Sequence, residues 1–451
     1  MRVLPSRLRV FVVASVVAAL TGCAAPEAAP ETGDLPTSYA LACPPGETRE
    51  VAPGVCATVL SDEGTLQEPA IARHPTRPDV MAIGANGGRA AAGAPPDALP
   101  LAVFVTEDAG ATWRRAAAPR PVATGHVVQL QGDPALAFDA DGRLHITGLL
   151  QKYPDPADLD PARPFAVLAA IDVFHASSGD LGATWDGPTM LTDDGDNDRN
   201  WIAVGPDGAL WATWHVCCVR TEAAWSTDNG ATWTDAEDIE GCYTGSPVTW
   251  VDGAPWVACA EGTPQELAGI ALWRYDGGTG AASKVGLIEG MTCIAPRILS
   301  PPDGALLVTC YGGLAARSVD GGRTWPQRWY LPELATLDEG WENEVVYWSE
   351  VDPHGAVHVQ LAEYHAREQR GYAEGREHRA LWMAWDPATG RVLGEARLTP
   401  EGAESGAGGA GSYVAPLGDD WWGIVFAGDR GTMVWSHAGD VYVTMIVPGV
   451  P

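Results

Sequence analysis

Thr106-Glu107-Asp108-Ala109-Gly110-Ala111-Thr112-Trp113 returns as Ser178 to Trp185, as Ser226 to Trp233 and as Ser318 to Trp325, each reading Ser/Thr-x-Asp-x-Gly-x-Thr-Trp. Every position has a job in a tight β-hairpin. The aspartates Asp108, Asp180, Asp228 and Asp320 accept backbone N–H groups inside the turn. The glycines Gly110, Gly182, Gly230 and Gly322 take the positive φ that such turns demand. The tryptophan folds back over the loop and buries a large ring. A repeated hairpin that cannot bury its own apolar face requires neighbours of the same kind, so the chain is a repeat architecture.

A second repeat precedes each of these hairpins: a polar residue or two, an apolar run, a turn often containing Asp-Gly, and another apolar run. Asp133 to Phe138, Asp141-Gly142 and Leu144 to Ile146 show it clearly, as do Arg199 to Val204, Asp207-Gly208 and Leu210 to Ala212. Such units begin near residues 68, 133, 199, 246, 296, 344 and 413. Degenerate hairpins stand at Tyr275 to Gly278, Asp386 to Gly390 and His437 to Asp440. Runs apolar on both faces suit strands packed between neighbouring sheets. The expectation is an all-β propeller of seven four-stranded blades, with six as the alternative. In blade seven the segment at Tyr413 is read as the first strand and Trp421 to Phe426 as the second. A strand near Val55 to Leu60 is expected to complete that blade and remove the open edge.

Residues 1–22 read as a lipoprotein signal peptide. Arg2, Arg7 and Arg9 precede an apolar run from Val10 to Leu20, which ends in Leu20-Thr21-Gly22-Cys23. That ending resembles the bacterial lipobox, which makes Cys23 the lipidated residue. Residues 23–40 then form a flexible linker rich in Ala, Pro and Glu, and 41–451 the propeller. The expected address is the cell envelope, exported, with membrane contact through the lipid anchor alone. A net charge of -30 argues against nucleic acid as a partner. Eight cysteines besides Cys23 point to disulfides in an oxidising compartment. Cys43–Cys56, Cys242–Cys259 and Cys293–Cys310 are one set of pairings, with Cys217 and Cys218 left adjacent; cross-blade pairs such as Cys259–Cys293 fit equally well.

In a propeller the first strand of each blade starts, and the second ends, at the same mouth of the central channel. The strand-one starts carry Glu68, Asp133, Asp198 with Arg199, Ser246, Arg297, Glu344 and Tyr413. Ionisable groups converging there make a candidate site; a wet channel whose ring residues pair with one another is the alternative. Two of Glu68, Asp133 and Glu344 could serve as the carboxylate pair of a hydrolase on a neutral polysaccharide. Asp194, Asp196 and Asp198 alternate as calcium ligands often do, so calcium is a candidate there and no other cofactor is expected.

The repeated hairpin resembles the Asp-box, or BNR repeat, of sialidases and related propellers, over roughly Val55 to Ile446. That resemblance implies a surface-anchored protein that recognises a glycan or small molecule at the channel mouth and, if an enzyme, acts as an exo-sialidase-like glycoside hydrolase. It implies Tyr413 as nucleophile, Glu344 as its partner, Asp133 as acid/base, and Arg199 and Arg297, beside Glu68, on the substrate. The Asp-box aspartates are structural in this reading. The Phe/Tyr-Arg-Ile-Pro motif of sialidases is absent; Pro296-Arg297-Ile298 is a partial echo in another blade, and Arg430 is the spare for a third arginine. The rival reading is a non-catalytic module of the cell envelope that binds a protein or ligand.

Overall fold

The computed structural model describes residues 35–61, 66–87, 101–120, 128–153, 170–193, 195–216, 219–244, 247–263, 266–293, 295–335, 342–364, 378–399, 423–437 and 439–449. Residues 1–34 lie outside them, so Cys23 and the stretch expected to be a signal peptide fall outside the described residues. Seven antiparallel sheets make up the rest, and the only helix among the described residues is the short 3-10 turn Leu331–Leu334.

Blades one to six take their strands in chain order, four in each apart from blade four, whose first strand is split in two. Blade one runs Gln67–Arg73, Met81–Asn86, Ala102–Thr106 and Arg114–Ala116. Blade two runs Val128–Phe138, Leu144–Tyr153, Ala170–Ser178 and Asp186–Met190, and blade three Asn197–Val204, Leu210–Val216, Arg220–Ser226 and Glu237–Asp238. Blade four has a broken first strand, Cys242–Thr244 and Thr249–Val251, before Ala254–Thr263, Glu266–Tyr275 and Ala282–Glu289. Blade five is Arg297–Leu299, Leu306–Thr309, Leu314–Ser318 and Gln327–Tyr330; blade six is Glu342–Val351, Val357–Tyr364, His378–Trp385 and Val392–Arg397. The first strand of every blade touches the first strand of the next, and that of blade seven touches blade one, so the ring closes.

Closure is made by the two ends of the chain. Blade seven pairs Gly423–Ala427, Arg430–His437 and Asp440–Pro448, and Val55–Ser61 supplies its fourth strand, with Thr58 opposite Val443. Tyr39–Ala42 adds to the other half of the same strand, Tyr39 opposite Pro448. The Tyr39 hydroxyl also donates to the buried Asp352 carboxylate of blade six. One expectation is corrected here. The stretch read as the second strand of blade seven is its innermost one among the described residues, and the turn at His437 to Asp440 joins the second and third strands. The apolar run was read one strand late, because residues 401–422 offered a plausible earlier one; Tyr413 lies outside the described residues.

The core follows from the sequence pattern. Strands apolar on both faces stack against both neighbours, and Trp211, Trp214, Trp382, Trp385 and Trp435 are fully buried. Trp211 stacks on Trp225 with centroids 4.9 Å apart. Each such ring removes on the order of 200 Å² from water, about 5 kcal/mol at ~25 cal/mol/Å² before entropy is subtracted.

The four repeated hairpins are superimposable in their bonding. In blade two the Ser178 hydroxyl accepts from the Gly182 N–H (2.8 Å) and donates to Asp180 (2.8 Å). Asp180 in turn accepts from the Thr184 N–H (2.8 Å) and hydroxyl (2.7 Å). Thr106/Asp108/Thr112, Ser226/Asp228/Thr232 and Ser318/Asp320/Thr324 repeat the pattern. Gly230 shows why the glycine is fixed: its φ is +83°, and a Cβ there would come within 2.5 Å of the His175 ring. The Thr184 hydroxyl, with its backbone N–H and Ser178, holds the Asp180 carboxyl down at about 2. Thr184→Val is expected to move that titration midpoint up toward the ordinary ~3.9 of an aspartate, read by carboxyl NMR; a midpoint that stays at about 2 would show that the backbone bond alone suffices.

Two turns between first and second strands carry a further repeat. Asp139 accepts the Arg143 N–H (2.7 Å) and meets His145 Nε2 (3.3 Å); Asp352 accepts the Ala356 N–H (2.9 Å) and meets His358 Nε2 (3.3 Å). His145 then bonds His175 through Nδ1 and Nε2 at 3.1 Å, all of it buried.

Candidate functional site at the channel mouth

Three candidate residues occupy one structural slot. The first strands of blades one, two and three each contain a β-bulge, between Gln67 and Ala70, Gly132 and Ala135, and Asp198 and Trp201. Inside these bulges Glu68, Asp133 and Arg199 adopt left-handed backbone angles, φ 50°, 48° and 49°. Ala295 of blade five takes the same conformation at φ 45°. A non-glycine residue in that region costs about 1 kcal/mol or more, and its repetition around an axis is sustained only by a surrounding structure that enforces it. Bulges of this kind re-aim side chains and concentrate beside active sites.

The enforcement is visible. Asn86 ends the second strand of blade one, at the mouth. Its Nδ2 donates to Glu68 Oε2 and, at 3.4 Å, to Asp133 Oδ1, while its Oδ1 accepts the Asp133 N–H at 2.6 Å. Asn200, next to Arg199 in its bulge, donates to the Asp133 carbonyl at 2.8 Å. The structure therefore joins Glu68 and Asp133 into one acidic group.

Arg199 and Arg297 meet elsewhere on the ring. Both line a small cavity of about 30 Å³ with Trp201, Pro247, Tyr311 and Trp348. That is room for water, not for a sugar ring, so a ligand of that size would sit above this floor. Arg199 lies over the Tyr311 ring at 5.5 Å. Arg297 lies over Trp348, 3.6 Å from the ring centre, and donates to Glu350 Oε2 at 2.8 Å. Arg297 sits two residues past the strained Ala295, so it is not in the slot that Glu68, Asp133 and Arg199 share. Burial raises the Glu350 carboxyl against the pull of Arg297, and lowers Arg297, so desolvation opposes both charges while their attraction holds the pair. The Arg297 Nε and Trp348 Nε1, both buried, find no acceptor among the described residues. Two orphan donors at one cavity favour an oxygen-rich occupant.

The mouth is braced covalently. Cys242–Cys259 and Cys293–Cys310 staple the same point of blades four and five, and Cys43–Cys56 staples the N-terminal hairpin. The within-blade pairings are the ones that form, and Cys217 and Cys218 lie outside the described residues. Disulfides of this number belong to oxidising compartments, and no helix among the described residues is long and apolar enough to cross a membrane.

The other candidates are placed less fully. The backbone of Glu344 lies in the first strand of blade six. Asp194 is outside the described residues; Asp196 bridges Ile171 of blade two and Asp198 starts blade three. Among the described residues no cluster of three His, Cys, Asp or Glu side chains could hold a metal. Sequence reasoning missed Asn86 and Glu350. Asn86 is an unremarkable polar residue ending an apolar strand, and Glu350 hides within Val345 to Val351. A readable signal was the dipeptide series Glu68-Pro69, Asp133-Pro134 and Ala295-Pro296, which marks the residue of positive φ in blades one, two and five.

No family model matches the chain, and no curated protein matches it. Solved propellers do resemble it in fold. A Hadza microbial sialidase shares 15% identity over 66% of this chain and 63% of its own, less than two thirds of its length, with a TM-score of 0.42. An α-L-arabinanase of Penicillium chrysogenum, complexed with arabinobiose, shares 12% over 78% and 99%, TM-score 0.41. YCF48 bound to a D1 peptide shares 14% over 90% and 100%, TM-score 0.42. At these identities the likeness is one of fold alone.

Proposed function

We propose that the chain is an envelope-anchored Asp-box propeller that recognises a glycan at the channel mouth. The observation that carries the reading is the strained slot shared by Glu68, Asp133 and Arg199 in the first strands of three successive blades. The chemistry beside it fits a sugar. The Arg199 guanidinium over Tyr311 and the Arg297 guanidinium over Trp348 form a cationic and aromatic floor, and the buried Arg297 Nε and Trp348 Nε1 have no acceptor among the described residues. Arg199 is the residue in this group that combines the strained slot with a guanidinium, suited to a charge-assisted bond with a ligand oxygen.

The test is a glycan array probed with the purified protein. Arg199→Ala is expected to weaken binding about 10- to 100-fold, the worth of a charge-assisted bond of ~1.5–3 kcal/mol, with an unchanged thermal midpoint. Binding to no glycan on the array, alongside capture of a peptide ligand, would favour the non-catalytic protein-binding module instead. Anchoring is tested separately: Cys23→Ser should abolish labelling with a radioactive fatty acid.

A further inference from the structure

We propose that Glu68 and Asp133 are the catalytic carboxylates of a glycoside hydrolase that retains anomeric configuration, an inference that rests on the glycan reading above. Both carboxylates accept from the single Nδ2 of Asn86. Two oxygens bonded to one nitrogen lie within about 6 Å of each other, since each hydrogen bond spans roughly 3 Å. That bound admits the ~5–5.5 Å spacing of a retaining pair and falls short of the ~6.5–9.5 Å that leaves room for an inverting enzyme's water. The shared amide uses both N–H groups on the two acids and its oxygen on the Asp133 backbone, so the spacing is fixed by a group that has no other orientation to take.

A separate observation points to a ligand here. Asn200 is fully buried, and its amide nitrogen is bonded to Asp133, yet its Oδ1 finds no donor among the described residues. An orphan acceptor on the amide that holds the Asp133 backbone carbonyl suits a hydroxyl-bearing ligand.

The two acids are not equivalent. Asp133 is short, and its own N–H and C=O are both held by side chains, so it is the rigid nucleophile. Glu68 has the longer reach and is the acid/base. In the first step an Asp133 oxygen forms a bond to the anomeric carbon while the bond from that carbon to the leaving oxygen breaks; the leaving oxygen keeps the electron pair and takes the Glu68 proton. In the second, water attacks the same carbon, its proton passes to the Glu68 carboxylate, and the ester oxygen leaves with its electron pair to restore Asp133. The sum is one glycoside and one water converted to a hemiacetal sugar and an alcohol.

The experiment incubates the full-length protein with 2-deoxy-2-fluoro glycosyl fluorides of gluco, galacto, manno and xylo configuration, which glycosylate the nucleophile with loss of fluoride and hydrolyse slowly. The expected result is a mass gain of one fluoroglycosyl group from at least one probe, mapped to the Asp133 peptide. With the p-nitrophenyl glycoside of the same sugar, Glu68→Gln should cut turnover by about 10²-fold or more, with azide restoring it as a glycosyl azide of retained configuration. Label on another residue, or no label from any of the four probes, overturns the proposal, and because labelling is read on the unaltered protein it does not depend on a variant that folds. Glycan binding on the array without labelling would overturn catalysis and leave recognition standing; neither binding nor labelling would end both.

Discussion

Moving from pH 7 to pH 5 will destabilise this domain, and replacing His175 will remove a large part of that loss. His175 is buried between blades two and three, and burial, with His145 beside it, pulls its pKa from the ordinary 6.5 down to about 3. The folded state therefore keeps the ring neutral where the unfolded chain protonates it. Its contribution is complete above about pH 6.5 and drains away as pH falls toward 3. At pH 5 linkage makes the loss from this group about 2 kcal/mol. His74, His145, His215, His358 and His437 are also lowered, each chiefly by burial, and add in the same direction. His175→Phe fills the space but leaves His145 Nδ1 without its partner, so the variant should be weaker at pH 7 by about 1–3 kcal/mol. The decisive quantity is the slope. Urea denaturation at pH 7, 6 and 5 should show the variant losing about 2 kcal/mol less than the parent over that range. Parallel slopes would mean that His175 exchanges protons as freely folded as unfolded.

The second large effect lies under the channel mouth. Glu350→Ala leaves the Arg297 guanidinium facing Trp348 with no counter-charge, in a place where the two side chains are only 15% and 25% exposed. Breaking such a pair from one side costs about 3–5 kcal/mol, because the survivor is still desolvated. Replacing both partners by apolar residues, as in Arg297→Met with Glu350→Leu, should cost far less, since no uncompensated charge remains. Denaturation curves of the single and double variants give the comparison directly. A Glu350→Ala protein within ~0.5 kcal/mol of the parent, the range of an ordinary surface change, would show that Arg297 finds water or another partner once released.

The fold was legible because its signals are local. Ser178, Asp180, Gly182 and Thr184 make their hydrogen bonds within one turn, so eight residues suffice to read the hairpin. The Asp252-Gly253 turn was equally plain, both residues taking positive φ between paired strands. The site was legible only as a list of strand starts. Glu68, Asp133 and Arg199 were found, but their grouping depends on Asn86, which reaches residues 18 and 47 positions away. Arg297 stood out as an arginine at a strand start, yet its neighbour Glu350 lies 53 residues on, inside an apolar run. Long-range pairing of this kind leaves no periodicity to read. Blade seven was misread for a related reason: its partner strand comes from the other end of the chain, so counting forward from blade six gave no check on which strand was innermost.

That borrowed strand also decides when the ring can exist at all. Val55–Ser61 emerges first during synthesis and waits, with one edge unpaired, for Asp440–Pro448 to be made. Six sheets can form in order of appearance, but the seventh is assembled from the earliest and latest segments, so its loop-closure entropy falls due last. A chain stopped before Asp440 leaves the edge of Val55–Ser61 without its partner, a template for sticking to its own copies. Quality control that removes unfinished chains thus has a simple feature to detect.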